Sequence, residues 1–549
     1  SCLDYWEDDL ILQAFNRTLL LSPQLYGNPW FLRDDEYPKL ARIFNLARKY
    51  SSILVNGTVL PEEKYGEKSV SRGNSDTRLV TLRNLSWEKN NVNLTIGEET
   101  GLTKDITYEV RLLHPVERII GSFEKGQSLD IPVDPFRSAL VLVCPDNEGG
   151  IGIKGCDYEL IREVKDKPVI IKLKGFPGTI HRIRLVDAGN EFSSATIDGS
   201  PVNSLLKGKS FTVTFDGELL KEPYHRKLAE LKPCDVPDDA EALYEATIFA
   251  TDNNALEIRE LQKSGETSVP EVKEARDAFL NQSLLIDRGI WDRYMFDNDY
   301  NTSFYVSRRR HKADLLNGGS LRLDFGELVE MDELVIEVGS EHALQPWKTE
   351  EAAFLEISSN LKDWKEIRIL ANKTMKINLD PERPVRYVRF KGTPDKIIEV
   401  KGYLNGSELD RSKWKGSHLY SPYYRIKAEK AWTASTVLSE IPDGSYLAVC
   451  LEGEHGIEGA YAALRVDDKP VGAPDRSPSY PANPWEYPVV KAKSHYTYYI
   501  PVTSDMRGKN IDIVALGMKG GVYNFKPEVW LTAYPAPYKE KELILIRDK

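Results

Sequence analysis

Over about residues 57–146 apolar and polar residues alternate, and a period of two is the pattern of strands that bury one face. Thr77-Arg-Leu-Val-Thr-Leu-Arg-Asn84 and Tyr108-Glu-Val-Arg-Leu-Leu113 lie in that part, and His181-Arg-Ile-Arg-Leu-Val186 and Ile511-Asp-Ile-Val-Ala-Leu516 read as further strands. Gly, Asn, Pro and charged residues separate the runs, and Asp198-Gly199 and Asp216-Gly217 supply hairpin turns. Such strands pair into sheets that pack face to face. With 549 residues the chain is too long for one core, so three to five domains are expected.

The expected fold class is mainly β, with several β-sandwich or jelly-roll domains in tandem after a short N-terminal helical segment. Residues 1–56 hold two helices at 3.6-residue spacing, over 9–21 and about 36–50. Residues 57–146 form an antiparallel sandwich and 147–222 a smaller β unit. A charged, proline-bearing linker over about 218–242 opens the segment 223–412, whose helical stretches at 238–262 and 270–282 precede another β-sandwich. Residues 413–549 give a jelly-roll-like unit. No repeat at solenoid spacing is present.

Composition excludes several functions. A net charge of −11 argues against a nucleic-acid partner, which requires a basic surface. The one basic cluster, Arg308-Arg-Arg-His-Lys312, reads as a solvated loop or a rim for hydroxyl groups. Mean hydropathy is −0.42 and no apolar run approaches a membrane span. Five cysteines without CxxC spacing make zinc and redox motifs unexpected; Cys144 and Cys450 read as small buried hydrophobes, and a Cys144–Cys156 pair stays open. The first residues lack a signal peptide's basic head and apolar body. They run straight into a helix, so a signal peptide and a larger N-terminal part are expected to be missing from this chain.

The most informative stretch is Trp291-Asp-Arg-Tyr-Met-Phe-Asp-Asn-Asp-Tyr-Asn-Thr-Ser-Phe304. Asp297, Asp299 and Thr302 stand at i, i+2 and i+5, a spacing that curls oxygen ligands around a hard cation such as calcium. The bland alternative is a turn in which Asp and Asn bond their own backbone. Ser358-Ser-Asn-Leu-Lys-Asp-Trp-Lys-Glu-Ile367, Val385-Arg-Tyr-Val-Arg-Phe390 and Ile397-Ile-Glu-Val-Lys-Gly-Tyr403 follow in order. Over roughly 160 residues this order resembles the discoidin-like, galactose-binding-like carbohydrate-binding modules. Asn298 stands where that family has Gly, and Asn tolerates a left-handed backbone best. Phe304 stands where it has Trp. The resemblance implies a structural Ca2+ held by Asp297, Asp299, Thr302 and Glu399, and a core role for Trp364. Ala41 to Gly57, leading into strands, resembles the last barrel helix of α-galactosidase-like glycoside hydrolases.

Sugar binding needs exposed aromatic rings beside hydroxyl-binding groups. Arg308, Arg309, His311 and Trp347 fall in polar loops of the discoidin-like part, and Tyr480, Trp485 and Tyr487 in the proline-stiffened loop 473–487. For catalysis, 84 acidic residues include no motif that singles out a carboxyl pair. Asp4, Glu7, Asp8 and Asp9 lie where a barrel strand would end, and Asp8 and Asp9 also read as a solvated helix start. The expected function is the carbohydrate-binding accessory region of a secreted, bacterial glycoside-hydrolase-like protein, with a polysaccharide or oligosaccharide as partner and an absent barrel carrying the chemistry. The rivals are a glycoside hydrolase with its own carboxylate pair at a domain junction and a surface adhesion protein.

Overall fold

Where the chain abandons strict alternation for continuous apolar runs, it buries a strand on both faces. The computed structural model describes residues 6–17, 22–25, 28–186, 192–250, 254–305, 319–338, 353–369, 372–390, 396–422, 428–454, 460–472, 476–478, 496–519 and 523–547. In the first β unit, Arg78–Arg83 and Ser138–Pro145 are neighbours in a six-stranded antiparallel sheet. Val80, Leu82, Val141 and Val143 face one core, closed by the ribbon of Asn90–Thr95 and Ser128–Val133. Leu79, Leu140, Leu142 and Cys144 face the other way, against the helices Trp6–Phe15 and Glu36–Tyr50. The two helices therefore cover a sheet and do not stand alone.

The second unit pairs a three-stranded sheet with a five-stranded one. Its central strand comes from the other end of the chain: Lys539–Arg547 lies between Val169–Gly175 and Phe192–Ile197, with Ile171 opposite Leu543. The sequence had grouped this strand with the 413–549 unit. Its pattern, Lys-Glu-Lys-Glu-Leu-Ile-Leu-Ile-Arg, identifies a strand but carries nothing that names its partners. Cys144 and Cys156 are free and buried in two different cores, so no disulfide joins them.

The stretch 218–242 is also more than a linker. Arg226–Glu230 and Lys232–Cys234 are strands at the edges of the last sandwich, whose other strands come from 428–533. Edge strands carry charge and proline because one side of their ladder is unpaired, which makes them look like loop in a sequence. The sandwich spanning 304–422 is thus an insertion in the last one. It consists of two five-stranded sheets around Phe296, Leu323, Phe325, Ile336, Val388 and Trp414.

The helix Ala240–Ala250 joins the two. Leu243 and Tyr244 pack on Ala463 and Val514 of the last sandwich. On the inserted side, Glu245, 4% exposed, meets Arg322 at 2.9 Å and Arg389 at 3.1 Å. Burial pushes the Glu245 carboxyl up, and the two guanidinium groups outweigh that and hold it low. Trp364 is not in the sandwich core as expected. It is half-buried beside Phe249, with Arg389 Cζ 4.0 Å from its ring centroid. No helix among the described residues is long and apolar enough to cross a membrane.

Deleting residues 539–549 removes the middle of a five-stranded sheet. Limited proteolysis is expected to cut within 147–222 while the inserted sandwich stays protected; equal protection of both would contradict the topology. In the full chain, Leu543→Ala is expected to destabilise by about 2–5 kcal/mol, read by denaturant unfolding.

Candidate functional site

Turns from the first, second and last β units converge on one cleft of about 650 Å3, and the N-terminal helices close one side of it. Its floor is a buried charge network. Glu7 and Asp8, at the start of Trp6–Phe15, are 4% and 7% exposed. Arg137, in the turn before Ser138–Pro145, donates from Nη2 to Glu7 Oε1 at 3.0 Å and to Asp8 Oδ1 at 2.9 Å. The Ser138 amide donates to Asp8 Oδ2 at 2.7 Å, and His114 Nε2 lies 2.5 Å from Asp8 Oδ1. Tyr534, in the link between the last sandwich and the C-terminal strand, donates its hydroxyl to Glu7 Oε1 at 3.2 Å. Burial alone would raise both carboxyls. Arg137 outweighs it, aided by Lys39 at Glu7 and His114 at Asp8, so both are held below the usual carboxylate range. Asp8 is therefore not a solvated helix start: it is an ionised anchor inside the junction.

The walls repeat the same compensation. Lys39 reaches Glu159 at 3.3 Å, and Lys174 reaches Glu159 and Glu540 at 3.1 Å each. Lys172 meets Glu540 at 2.9 Å, Arg33 meets Asp35 at 3.1 Å, and Lys89 meets Asp134 at 3.5 Å. Arg118 is bidentate on Asp157, which also accepts the Tyr538 hydroxyl at 3.1 Å. Burial raises the Glu540 carboxyl, and its two lysines bring it below its ordinary value.

Between the charges stand aromatic rings. Trp87, Phe136, Phe176, Tyr224, Tyr446, Tyr499, Tyr534 and Tyr538 all line the cleft and all are half-buried. Trp87 meets Phe136 edge-on at 4.9 Å and backs onto Trp530 at 6.1 Å, while Tyr446 meets Tyr499 at 5.4 Å. A second group stacks Phe176 on Tyr538 at 4.7 Å with Tyr224 at 5.6 Å. Phe136 has φ 53°, a left-handed backbone that a bulky residue adopts only where its surroundings impose it, and such residues gather at functional sites.

Of the residues the sequence singled out for sugar, Arg308, Arg309, His311, Trp347, Tyr480, Trp485 and Tyr487 lie outside the described residues. The metal loop is described. Asn298 has φ 62°, the left-handed backbone expected of it. Asp297 Oδ1 accepts the Asp299 amide at 2.9 Å and its Oδ2 accepts the Thr302 hydroxyl at 2.8 Å, while Asp299 Oδ1 accepts the Asn301 amide at 2.9 Å. Glu399 is 1% exposed and paired through Oε1 with Arg411; its Oε2 is buried without a hydrogen bond. Burial raises the Glu399 carboxyl, Arg411 opposes this, and Asp297 adds to the rise. Among the described residues no three His, Cys, Asp or Glu side chains converge as a metal site would require. Asp297 and Asp299 are thus both turned into their own bend, and Glu399 is held by Arg411.

Apart from Glu7 and Asp8, which the sequence placed at the end of a barrel strand, the cleft residues escaped the sequence reading, yet part of their signal was present. Trp87 in Asn84-Leu-Ser-Trp-Glu-Lys89 sits in as polar a turn as Trp347 does, and Tyr534-Pro-Ala-Pro-Tyr538 is as proline-stiffened as 473–487. What no local pattern conveys is that residues some 450 apart share one wall.

No protein-family model and no curated protein sequence matches the chain. Two cryo-electron-microscopy structures of the arabinofuranosyltransferase AftD from mycobacteria, one of them a mutant, align with 87% and 86% of this chain at 10% and 11% identity. The chain spans 33% and 32% of their length, and TM-scores of 0.17 and 0.16 establish no shared fold.

Arg137→Ala leaves Glu7 and Asp8 buried without their main counter-charge and is expected to destabilise by about 3–5 kcal/mol near neutral pH. In the parent protein both carboxyls are depressed, so their contribution is present above the unfolded-state values and is lost as pH falls below about 4. In the variant, burial raises the same carboxyls, and acid relieves it. The deficit measured by thermal unfolding is expected to shrink on acidification; a deficit independent of pH would contradict the assignment.

Proposed function

We propose that this chain is a carbohydrate-binding accessory region, and that the junction cleft is where it holds an oligosaccharide segment of a polysaccharide. The observation that carries this reading is the combination of eight half-buried aromatic rings with hydrogen-bonding side chains in one cleft. Flat rings offer stacking surface to the C–H faces of sugars, and the interleaved polar groups reach hydroxyls. A cleft that is largely preformed binds with little ordering cost.

The geometry favours holding over cleaving. A glycosidase keeps one of two facing carboxyls protonated as its acid. Glu7 and Glu540 face this cleft, but each is clamped by cations that keep it ionised. Glu7 and Glu540 therefore act as positioning groups in this reading, and the rival hydrolase finds no proton donor in either of them. The resemblance of the inserted sandwich to discoidin-like modules agrees with sugar binding. It also suggests a structural calcium, for which Glu399 Oε2 and Asp297 would be the carboxylate ligands, pinning the loop 297–302 to the strand Lys396–Leu404. Secretion of the chain fits this role and belongs to the same proposal.

Two measurements test the reading. On a glycan array followed by calorimetry, the intact chain is expected to bind a neutral or acidic oligosaccharide family. Trp87→Ala is expected to weaken that binding roughly tenfold, about 1.4 kcal/mol, while Trp364→Ala, outside the cleft, leaves it intact. Silence across the array would refute the reading, as would equal losses in the two variants. For the metal, Ca2+ at a hundredfold excess over its Kd is expected to add about 2.7 kcal/mol to stability, and Glu399→Gln to remove most of that gain. No shift in melting temperature with Ca2+ would remove the ion from the account.

A further inference from the structure

We infer that the junction cleft selects uncharged oligosaccharides and rejects acidic ones, a specificity that rests on the reading of this cleft as the glycan site. Eight Lys and Arg side chains line it, a number that would ordinarily point to an anionic ligand such as a uronate or a sulfated sugar. Seven of the eight already have a carboxylate within 4.0 Å; the eighth, Lys221, is exposed at the rim. Seven Asp and Glu side chains line the same cleft, so its charge is close to balanced.

The pairing is built in, because the partners come from different parts of the fold. Lys39 of the second helix takes Glu159 of the second β unit, and Lys172 takes Glu540 of the C-terminal strand. Docking an acidic sugar on Lys172 or Lys174 would place it beside Glu540 and Glu159, and would have to draw the lysines away from them. Glu159, whose side chain is 12% exposed, is penalised when left without its cations, which an exposed ion pair would not be. A neutral sugar meets neither obstacle. Its hydroxyls can donate to free carboxylate lone pairs and accept from the remaining ammonium and guanidinium hydrogens with every ion pair intact. The apolar contact falls to the two groups of rings, around Trp87 and around Phe176, so the ligand has at least two sugar faces to offer.

The discriminating experiment is calorimetric titration of the full chain with matched neutral and acidic oligosaccharides, such as galacto- and galacturono-oligosaccharides, gluco- and glucurono-oligosaccharides, and a sulfated series. The expected result is binding of at least one neutral series, at least tenfold weaker binding of its acidic counterpart, and affinity that stays flat as NaCl rises, since no charge is neutralised on binding. Glu540→Gln removes the Lys172 counter-charge and half of that at Lys174. It is expected to raise the ratio of acidic to neutral affinity at least tenfold; a ratio unchanged in a folded variant would overturn the compensation argument. Tighter binding of an acidic series by the parent protein, weakening with salt, would overturn the selectivity while leaving the glycan reading standing. Failure of every series, neutral and acidic, would overturn both.

Discussion

Two carboxylates, Glu7 and Asp8, are buried and ionised where the N-terminal helix meets the first β unit, and Arg137 is the group that makes this tolerable. A pair of this kind contributes little net stability against apolar packing, yet removing one partner is severe. Its effect is therefore on geometry. Arg137 fixes the turn that carries Phe136, and the Glu7 it holds also accepts the Tyr534 hydroxyl. One guanidinium thus ties together the helical layer, the first sandwich and the segment leaving the last sandwich. The cleft forms around that knot.

The other constraint is the path of the chain. After the last sandwich closes with Asn524–Ala533, five residues cross the cleft and the chain ends as the middle strand of the second unit. Because Lys539–Arg547 is paired on both sides, the last sandwich is tethered to the second at a distance of only a few residues. Tyr534 and Tyr538 are thereby presented to the cleft from a segment whose two ends are both anchored in sheets. Such preorganisation lowers the ordering cost of binding, which is what the proposed sugar ligand would require.

Local physics in the sequence conveyed the class of fold and most of its elements. The helix Glu36–Tyr50 and strands such as Arg78–Arg83, Val385–Phe390 and Asn510–Met518 follow directly from periodicity and turn chemistry. The left-handed Asn298 was legible because few residues tolerate that backbone. Connectivity was not. Arg226–Glu230 and Lys232–Cys234 are edge strands whose charge and proline mimic a linker, and the pairing of Ile171 with Leu543 joins residues too far apart for any local rule. The same distance hid the cleft. Glu7, Asp8 and Arg137 each look like ordinary surface charge in sequence, and only their convergence makes them an anchor. Trp364 shows the converse error: a tryptophan that reads as core is a half-buried lid over Arg389, because the helix Ala240–Ala250 offers it a better seat outside the sandwich.

For the cleft to have the proposed role, sugar must be held at the junction. Hydrogen–deuterium exchange of the intact chain, with and without a saturating oligosaccharide, tests it most directly. Protection is expected to concentrate in 85–89, 134–137, 219–225 and 534–538, the segments that form the cleft walls. Protection confined to 306–312, 341–350 or 479–487, with the junction segments unchanged, would place the sugar elsewhere and contradict the account.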